Sequence, residues 1–349
     1  MKALVKEKAE PGIVLRDVPE PALLPGHVIV RVKACGISGS EVSRYRWAKI
    51  YHAGGAKDMT RVLPRIMGHE FSGTIAAIGK GVAGIREGDR VVVQCVVGCG
   101  CCESCDAGLP NHCLRRIMIG NDMDGGFAEF ASVPANSIYA VPDDVALESI
   151  ALLQPFAIAA YAMELAGIKP GDRVGVWGVG QIGMSVIQIA QLAGATVEFA
   201  VGRDKMRLQA ADSIGAAHTV SVNDTDAGEF LLKVFGNRRV DAVFEVSGNV
   251  LAVNSALCIL KKRGKVVVIG NPTQTLHLDL QQAVMDQLNI LTVRAYSLSA
   301  WRTALALFGR VQGQLGALPI IRMPLAEGVR AFERAASGEG GAAKFVLQP

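Results

Sequence analysis

Aromatic residues are scarce in this chain, at 5% of 349 positions, and the formal net charge is only +4. With so little excess charge and no long basic run, non-specific nucleic-acid binding has little electrostatic support. Long apolar runs are lacking too. The most apolar stretch, Ile150 to Met163, is interrupted by Gln154 and Pro155 and makes a poor membrane span. No secretory signal is visible, because Met1 to Arg16 alternates charged and apolar residues as a strand does. The 8 cysteines lack the pattern of a disulfide framework, and read as reduced thiols in a reducing compartment. The expected location is the cytoplasm.

What the chain does contain is glycine, 39 residues, within a sequence that is 50% hydrophobic. That balance fits an α/β protein rich in Val, Ile and Ala, long enough for two domains with proper cores. The first 150 or so residues read as short β-branched strands, such as His27 to Ala34 and Arg90 to Val97, broken by Pro and Gly. From about Pro170 the rhythm changes to strands alternating with helices. Strands are expected at Arg173 to Gly178, Thr196 to Val201, His218 to Val222, Asp241 to Val246, Lys265 to Gly270 and Ile290 to Ala295. Helical stretches at Gln181 to Ala193 and Val250 to Lys261 fit between them, which describes a doubly wound parallel sheet. The expected domains are 1–153, with a cysteine lobe at 95–114, then 154–295, and a tail at 296–349 that returns to the first. The tail carries a helix near Ala300 to Arg310 and a strand at Ala343 to Leu347.

Three clusters carry chemistry. Cys99, Cys102, Cys105 and Cys113 form a C-x2-C-x2-C-x7-C run that brings four thiolates within reach of one tetrahedral Zn²⁺. A closed sulfur cage of this kind is structural. Cys95, Cys101 and Cys258 fall outside that spacing and read as packing residues or bystanders.

Gly178-Val179-Gly180-Gln181-Ile182-Gly183 follows an expected strand and opens an expected helix, the context of a dinucleotide fingerprint. The helix N-terminus offers free N–H groups to the pyrophosphate. The second strand ends in Gly202-Arg203-Asp204-Lys205. Gly202 removes the carboxylate that would repel a 2′-phosphate, while Arg203 can pair with one and Lys205 and Arg207 can help, which favours NADP(H) over NAD(H). The competing reading gives the acidic role to Asp204 and leaves Arg203 to water.

The third cluster is Cys35 with Ser40 and Glu41, and His69 with Glu70. A thiolate, an imidazole and a carboxylate are the donors of an open zinc site. Alone they do not distinguish a metal centre from a buried cysteine and a satisfied histidine.

The order of C-G-I-S-G-S-E at Cys35, G-H-E at Gly68, the four-cysteine lobe, D-G-G-F-A-E-F at Asp124 and G-V-G-Q-I-G at Gly178 resembles the zinc-dependent medium-chain alcohol dehydrogenase family along nearly the whole chain. Within it, I-M-G-H-E and G-N-D-M-D-G-G-F-A-E-F are similar to the threonine and the polyol (sorbitol, butanediol) dehydrogenases. The resemblance implies a GroES-like β-rich catalytic domain beside a Rossmann domain. It implies one structural and one catalytic zinc, a small-molecule alcohol or ketone as partner, and a homotetramer or homodimer. Nucleic acid and membrane are not expected partners. By position, Cys35 and His69 would be zinc ligands, Glu70 a ligand or close carboxylate, Ser40 the hydroxyl that takes the substrate proton, and Glu41 the acid that orients the imidazole. The third ligand of many relatives corresponds here to Gln154, which is neutral and a weaker donor, and Ser43 stands where a relay histidine often lies. The implied reaction interconverts a secondary alcohol, such as a polyol or a β-hydroxy acid like threonine, and its ketone. Two competing readings are a zinc-less quinone or enoyl reductase that keeps only the structural zinc, and a zinc-ribbon binding protein. The first would dispense with the Cys35/His69 pair, and the second needs a basic, aromatic-laced surface that the lobe lacks.

Finally, the segment from Arg44 to Arg65 is basic, with Arg44, Arg46, Lys49, Lys57, Arg61 and Arg65 against Asp58. It reads either as a dock for an anionic substrate group or as a solvated or inter-subunit loop.

Overall fold

Short β-branched runs punctuated by Gly and Pro fold as strands, and the switch to strand–helix alternation after Pro170 marks a second kind of sheet. The computed structural model describes residues 1–49, 59–60, 62–236, 239–272, 275, 277–278 and 280–349. By its internal contacts the chain forms two units. One comprises Met1–Gln154, Phe308–Gln312 and Ile320–Pro349; the other comprises Pro155–Leu307 and Gly313–Pro319.

The first unit contains β1 (Lys2–Lys6), β2 (Val14–Asp17), β3 (His27–Ile37), α1 (Gly39–Tyr45), β4 (Arg65–Ile66), β5 (Phe71–Ile78) and β6 (Arg90–Val93). There follow β7 (Val96–Val97), α2 (Glu103–Asp106), β8 (Ile117–Met118), β9 (Phe130–Pro134), β10 (Ile138–Ala140) and α3 (Leu147–Ile150). The main sheet runs β10-β6-β5-β3 and on through two C-terminal strands, with β9 also paired to β3. Arg90 to Val97, expected as one strand, is split. β6 pairs with β5 and β10, whereas β7 leaves to pair with β8 at the base of the cysteine lobe.

The chain then continues through α4 (Leu153–Ala166), β11 (Arg173–Trp177), α5 (Gln181–Leu192), β12 (Thr196–Gly202), α6 (Lys205–Ser213), β13 (Thr219–Ser221) and α7 (Ala227–Phe235). After these come β14 (Val240–Glu245), α8 (Val250–Ile259), β15 (Leu260–Val268), α9 (Leu280–Met285), β16 (Asn289–Thr292) and α10 (Leu298–Val311). The six strands β11 to β16 are ordered β13-β12-β11-β14-β15-β16 with every neighbouring pair parallel. This is the doubly wound order, in which strand order reverses beside the first strand. Its core includes Phe199, Val201, Val243, Val253, Leu257 and Val266. The helix expected to reach Lys261 stops at Ile259 because β15 begins at Leu260, earlier than its apolar residues announce.

The last elements, β17 (Ile320–Pro324), α11 (Gly328–Ser337) and β18 (Lys344–Gln348), lie in the first unit. β18 pairs antiparallel with β3 and parallel with β17, so the end of the chain completes the first sheet. No described helix is long and apolar enough to cross a membrane.

Candidate active site and metal sites

β3 is interior to its sheet, and its last turns of pleat assemble the site. Cys35 pairs with Phe71 of β5 on one side and with Leu347 of β18 on the other. That register carries His69 and Glu70, the residues just before β5, and Lys344, the first residue of β18, to the same end of β3. The Gly36 N–H donates to the Glu70 carbonyl at 2.8 Å. Cys35, Glu41, His69, Glu70 and Lys344 are all buried, none more than 4% exposed.

The turn from β3 into α1 is closed by a capping box. Ser38 Oγ accepts the Glu41 N–H at 3.2 Å, and the Ser38 N–H donates to Glu41 Oε2 at 2.7 Å. The other carboxylate oxygen, Oε1, accepts the His69 backbone N–H at 3.1 Å and His69 Nδ1 at 2.9 Å. One side chain therefore both starts the helix and fixes the imidazole ring. A carboxylate only accepts, so Nδ1 is the donor of this bond. Nε2 lies 3.9 Å from Glu70 Oε1. Burial opposes the Glu41 charge, but the His69 charge and hydrogen bond, together with Arg44 and the Ser38 N–H, outweigh it and hold the carboxyl at about 2. Burial, and after it the Glu41 and Glu70 charges, push the Cys35 thiol well above its ordinary range.

Thiol, imidazole Nε2 and carboxylate make a donor set suited to zinc. Glu70, however, is engaged by Lys344, whose ammonium forms an ion pair with Oε2. Among the described residues, the group of His, Cys, Asp or Glu whose ligand atoms all fall within 4.8 Å of one another is Cys99, Cys102, Cys105 and Cys113. Cys35, His69 and Glu70 surround the end of β3 without drawing that close. Ser40 Oγ sits 3.0 Å from Ser38 Oγ. Gln154 is buried in the first turn of α4, and Ser43 is half-buried on α1.

In the lobe the match to zinc is direct. Four sulfurs on a tetrahedron with Zn–S near 2.3 Å lie about 3.8 Å apart, and Cys99 Sγ is 4.0 Å from Cys105 Sγ.

The dinucleotide fingerprint joins β11 to α5, and its three glycines differ in what they need. Gly178 has φ +113°, which L side chains rarely adopt, and a Cβ at Gly183 would lie 1.9 Å from the Gly178 carbonyl oxygen. Gly180 has neither constraint: a Cβ there would meet nothing within 4 Å. Open space over the N-cap of α5 is what a pyrophosphate requires. α6, α7 and α8 are each capped by an Asp or Asn side chain, whereas α5 has no side-chain cap. Gln181 and Gly183 are buried, and Ile182 is half-buried.

At the end of β12, a Cβ on Gly202 would lie 2.2 Å from Val179 Cγ2, so the position has no room for an acidic side chain. Asp204 is committed to the helix: its Oδ1 accepts the Arg207 N–H at 3.0 Å as the N-cap of α6. Arg203 and Lys205 are exposed and Arg207 is half-buried.

In the basic segment that begins in α1, Arg46 and Lys49 are exposed, and three of the described arginines make contacts within the chain. Arg44 is buried and donates to the Gly120 carbonyl at 3.0 Å. Arg46 donates to the Ala336 carbonyl, and Arg65 pairs with Asp124 at 3.0 Å. These guanidinium groups hold the segment to other parts of the first unit. Lys57, Asp58 and Arg61 lie outside the described residues. Sequence reasoning missed Lys344. Its signal was a lysine opening an otherwise apolar strand, K-F-V-L, with no exposed partner nearby in sequence.

Two sequence families match, an alcohol dehydrogenase GroES-like domain over residues 24–143 and a zinc-binding dehydrogenase over residues 181–310. An L-threonine 3-dehydrogenase of Legionella pneumophila is 31% identical over 349 residues, covering 99% of both chains. A sorbitol dehydrogenase of Bacillus subtilis is 31% identical over 78% of this chain and 76% of its own. Among solved structures, 2R,3R-butanediol dehydrogenase from Bacillus subtilis superposes with a TM-score of 0.88 at 27% identity, covering 100% of this chain and 99% of that one. An Escherichia coli alcohol dehydrogenase complexed with NADH has a TM-score of 0.86 at 26% identity, covering 100% and 99%. A Sinorhizobium meliloti protein described as a zinc-binding dehydrogenase, bound to NADP, has a TM-score of 0.87 at 28% identity with the same coverage. Fold, fingerprint and full-length likeness agree: this chain belongs to the zinc-binding alcohol dehydrogenase family, and is an oxidoreductase of secondary alcohols.

Proposed function

We propose that this dehydrogenase interconverts a polyol or β-hydroxy acid and its ketone with NADP(H), using a zinc ion held by Cys35, His69 and, in part of the cycle, Glu70. The observation that carries the reading is the His69 ring, buried and locked through Nδ1 onto Glu41, with Nε2 beside Glu70. Ring orientation set by a carboxylate is the support that a metal-ligating histidine has. The lobe cysteines Cys99, Cys102, Cys105 and Cys113 are proposed to hold a second, structural zinc.

When bound, the metal supplies Lewis-acid polarisation of the substrate oxygen, and the nicotinamide accepts the hydride. The chain's own residues do the rest. Glu41 holds the imidazole in one tautomer and one orientation. Lys344 balances the Glu70 charge, so the carboxylate has a stable position when it is not a ligand. Gln154 contributes no charge to the set, which leaves Glu70 as the carboxylate available to it. Ser38 Oγ accepts from the Glu41 N–H and lies within hydrogen-bond distance of Ser40 Oγ. Ser40 is the hydroxyl proposed to take the proton that leaves the alcohol while it donates its own onward.

The cofactor preference follows from the end of β12. No acidic side chain fits at Gly202, Asp204 caps α6, and the exposed Arg203 and Lys205 with Arg207 supply positive charge for a 2′-phosphate. The chain is read as a cytoplasmic homotetramer or homodimer. The substrate class follows the full-length relatives, which act on threonine, and those on sorbitol and butanediol.

A panel of secondary alcohols, polyols and β-hydroxy acids, each assayed with NAD and with NADP, tests this function. Turnover with NADP exceeding that with NAD is expected for at least one of them. Arg203→Ala should raise the KM for NADP about tenfold, the worth of one charge-assisted contact, and leave that for NAD unchanged. Equal loss with both cofactors would refute the 2′-phosphate role.

A further inference from the structure

Besides the buried Cys95, the lobe holds an exposed thiol, Cys101, that the zinc cage does not use. Gly100 has φ +73° and turns the chain between Cys99 and Cys101. The turn lays Cys101 Sγ 3.8 Å from Cys99 Sγ. Arg115 spans the pair, its Nη2 lying 3.2 Å from Cys99 Sγ and 3.1 Å from Cys101 Sγ. Cys101 is exposed, whereas Cys99 is half-buried and belongs to the cage. The sequence alone makes Cys101 a bystander; the structure makes it the neighbour of a metal ligand.

We infer that Cys101 and Cys99 form an oxidant-responsive pair, in which a hydroperoxide drives a Cys99–Cys101 disulfide and releases zinc from the lobe. Cys101 is the sulfur that a solvent-borne oxidant reaches. Its sulfur attacks one oxygen of the hydroperoxide; an S–O bond forms, the O–O bond breaks, and the other oxygen leaves as alkoxide and is protonated to the alcohol. Cys101 is then a sulfenic acid. Cys99 attacks the Cys101 sulfur; the S–S bond forms, the S–O bond breaks, and hydroxide leaves as water after protonation. The Cys101 thiol and the Cys99 thiolate have together lost two electrons; the thiol's proton and one from solvent neutralise the two leaving oxygens, and the hydroperoxide has been reduced to alcohol and water. Arg115 offsets the negative charge that passes between the sulfurs. Cys99, once in the disulfide, is no longer a thiolate ligand, and three cysteines remain for an ion that the closed cage holds with four. A dithiol reductant with added Zn²⁺ restores the cage.

The inference rests on the zinc-holding reading of the lobe, and two readouts separate them. Zinc-loaded full-length protein is treated with hydrogen peroxide. Released zinc is followed with a chromogenic chelator, and disulfides are mapped by mass spectrometry. The expected result is a bridge joining Cys99 to Cys101 that appears together with zinc. Cys101→Ser should keep the zinc content of the parent and release it about tenfold more slowly, the gap between an accessible thiol and a caged thiolate. Arg115→Met should slow bridge formation with zinc content unchanged. Release from Cys101→Ser at the parent rate, or a bridge that excludes Cys101, would overturn the inference. Loss of zinc from untreated Cys101→Ser would also overturn it, by making Cys101 a ligand. A bridge that forms in a lobe without zinc would leave the sulfur pair standing and remove only its coupling to metal.

Discussion

The cysteine lobe and the buried site at the end of β3 use overlapping ligand chemistry and are built in opposite ways. The lobe draws its donors from one excursion between β7 and β8, and their sulfurs all lie within 4.8 Å of one another. The interior site draws Cys35 from β3, His69 and Glu70 from the residues before β5, and Lys344 from β18, so it exists only when the sheet has closed. In the lobe, four sulfurs brought together as thiolates would need a cation to offset their charge. In the interior the protein must also keep a carboxylate buried, and it does so with an opposing ammonium and a histidine pinned by a second carboxylate. A local, closed cage suits a structural ion, and a dispersed, partly engaged donor set suits one that must exchange a ligand during turnover.

That contrast can be broken by mutation. The largest effect is expected from Cys35→Ser, which should lower turnover by about a thousandfold, in line with several kcal/mol of lost Lewis-acid stabilisation. The thermal midpoint should stay close to the parent value. Cys105→Ser should do the reverse, destabilising the lobe and exposing it to proteolysis while the interior donors remain in place. Equal loss of stability in the two variants would erase the distinction drawn here.

Lys344→Met comes next. It leaves the Glu70 carboxylate buried without its counter-charge and should cost about 3–5 kcal/mol in urea unfolding. Adding Glu70→Gln to it should recover most of that loss, and a double variant no more stable than Lys344→Met alone would deny the pairing. Glu41→Gln should weaken zinc binding at the interior site about 10–100-fold through the freed imidazole, and leave the lobe's zinc untouched. Smallest in stability, though not in binding, is Gly180→Ala. Its added methyl meets only open space, so unfolding should barely change while the cofactor dissociation constant rises about tenfold, as titration would show. Gly183→Ala, whose Cβ would strike the Gly178 carbonyl, should instead unfold the fingerprint turn.

The same contrast explains how much could be read from residues alone. Cys99, Cys102, Cys105 and Cys113 are legible because spacing along a short loop fixes which sulfurs can meet. The parallel sheet is legible because β11, β12 and β14 are buried apolar runs separated by helical periods, and β11 ends in a fingerprint whose glycines announce a tight turn. Cys35 and His69 could be named through the resemblance of their flanking motifs, while the contacts among them could not. Lys344 joins Glu70 through the β3–β18 pairing, a long-range contact that no local pattern encodes. Nor does composition reveal that Arg44 turns inward to Gly120 rather than outward to a ligand. Cys101 escaped for a related reason: its importance depends on the left-handed turn at Gly100 and on Arg115 reaching back across the loop.

The central claim is that the buried donors at the end of β3 hold a catalytic ion distinct from the one in the lobe. Metal analysis of the purified parent and of His69→Ala, each dialysed against a mild chelator and then reloaded with Zn²⁺, tests it most directly. The account predicts two zinc ions per parent chain, one per variant chain, and turnover only in the parent. One zinc in both proteins, with turnover unchanged by the loss of His69, would contradict it.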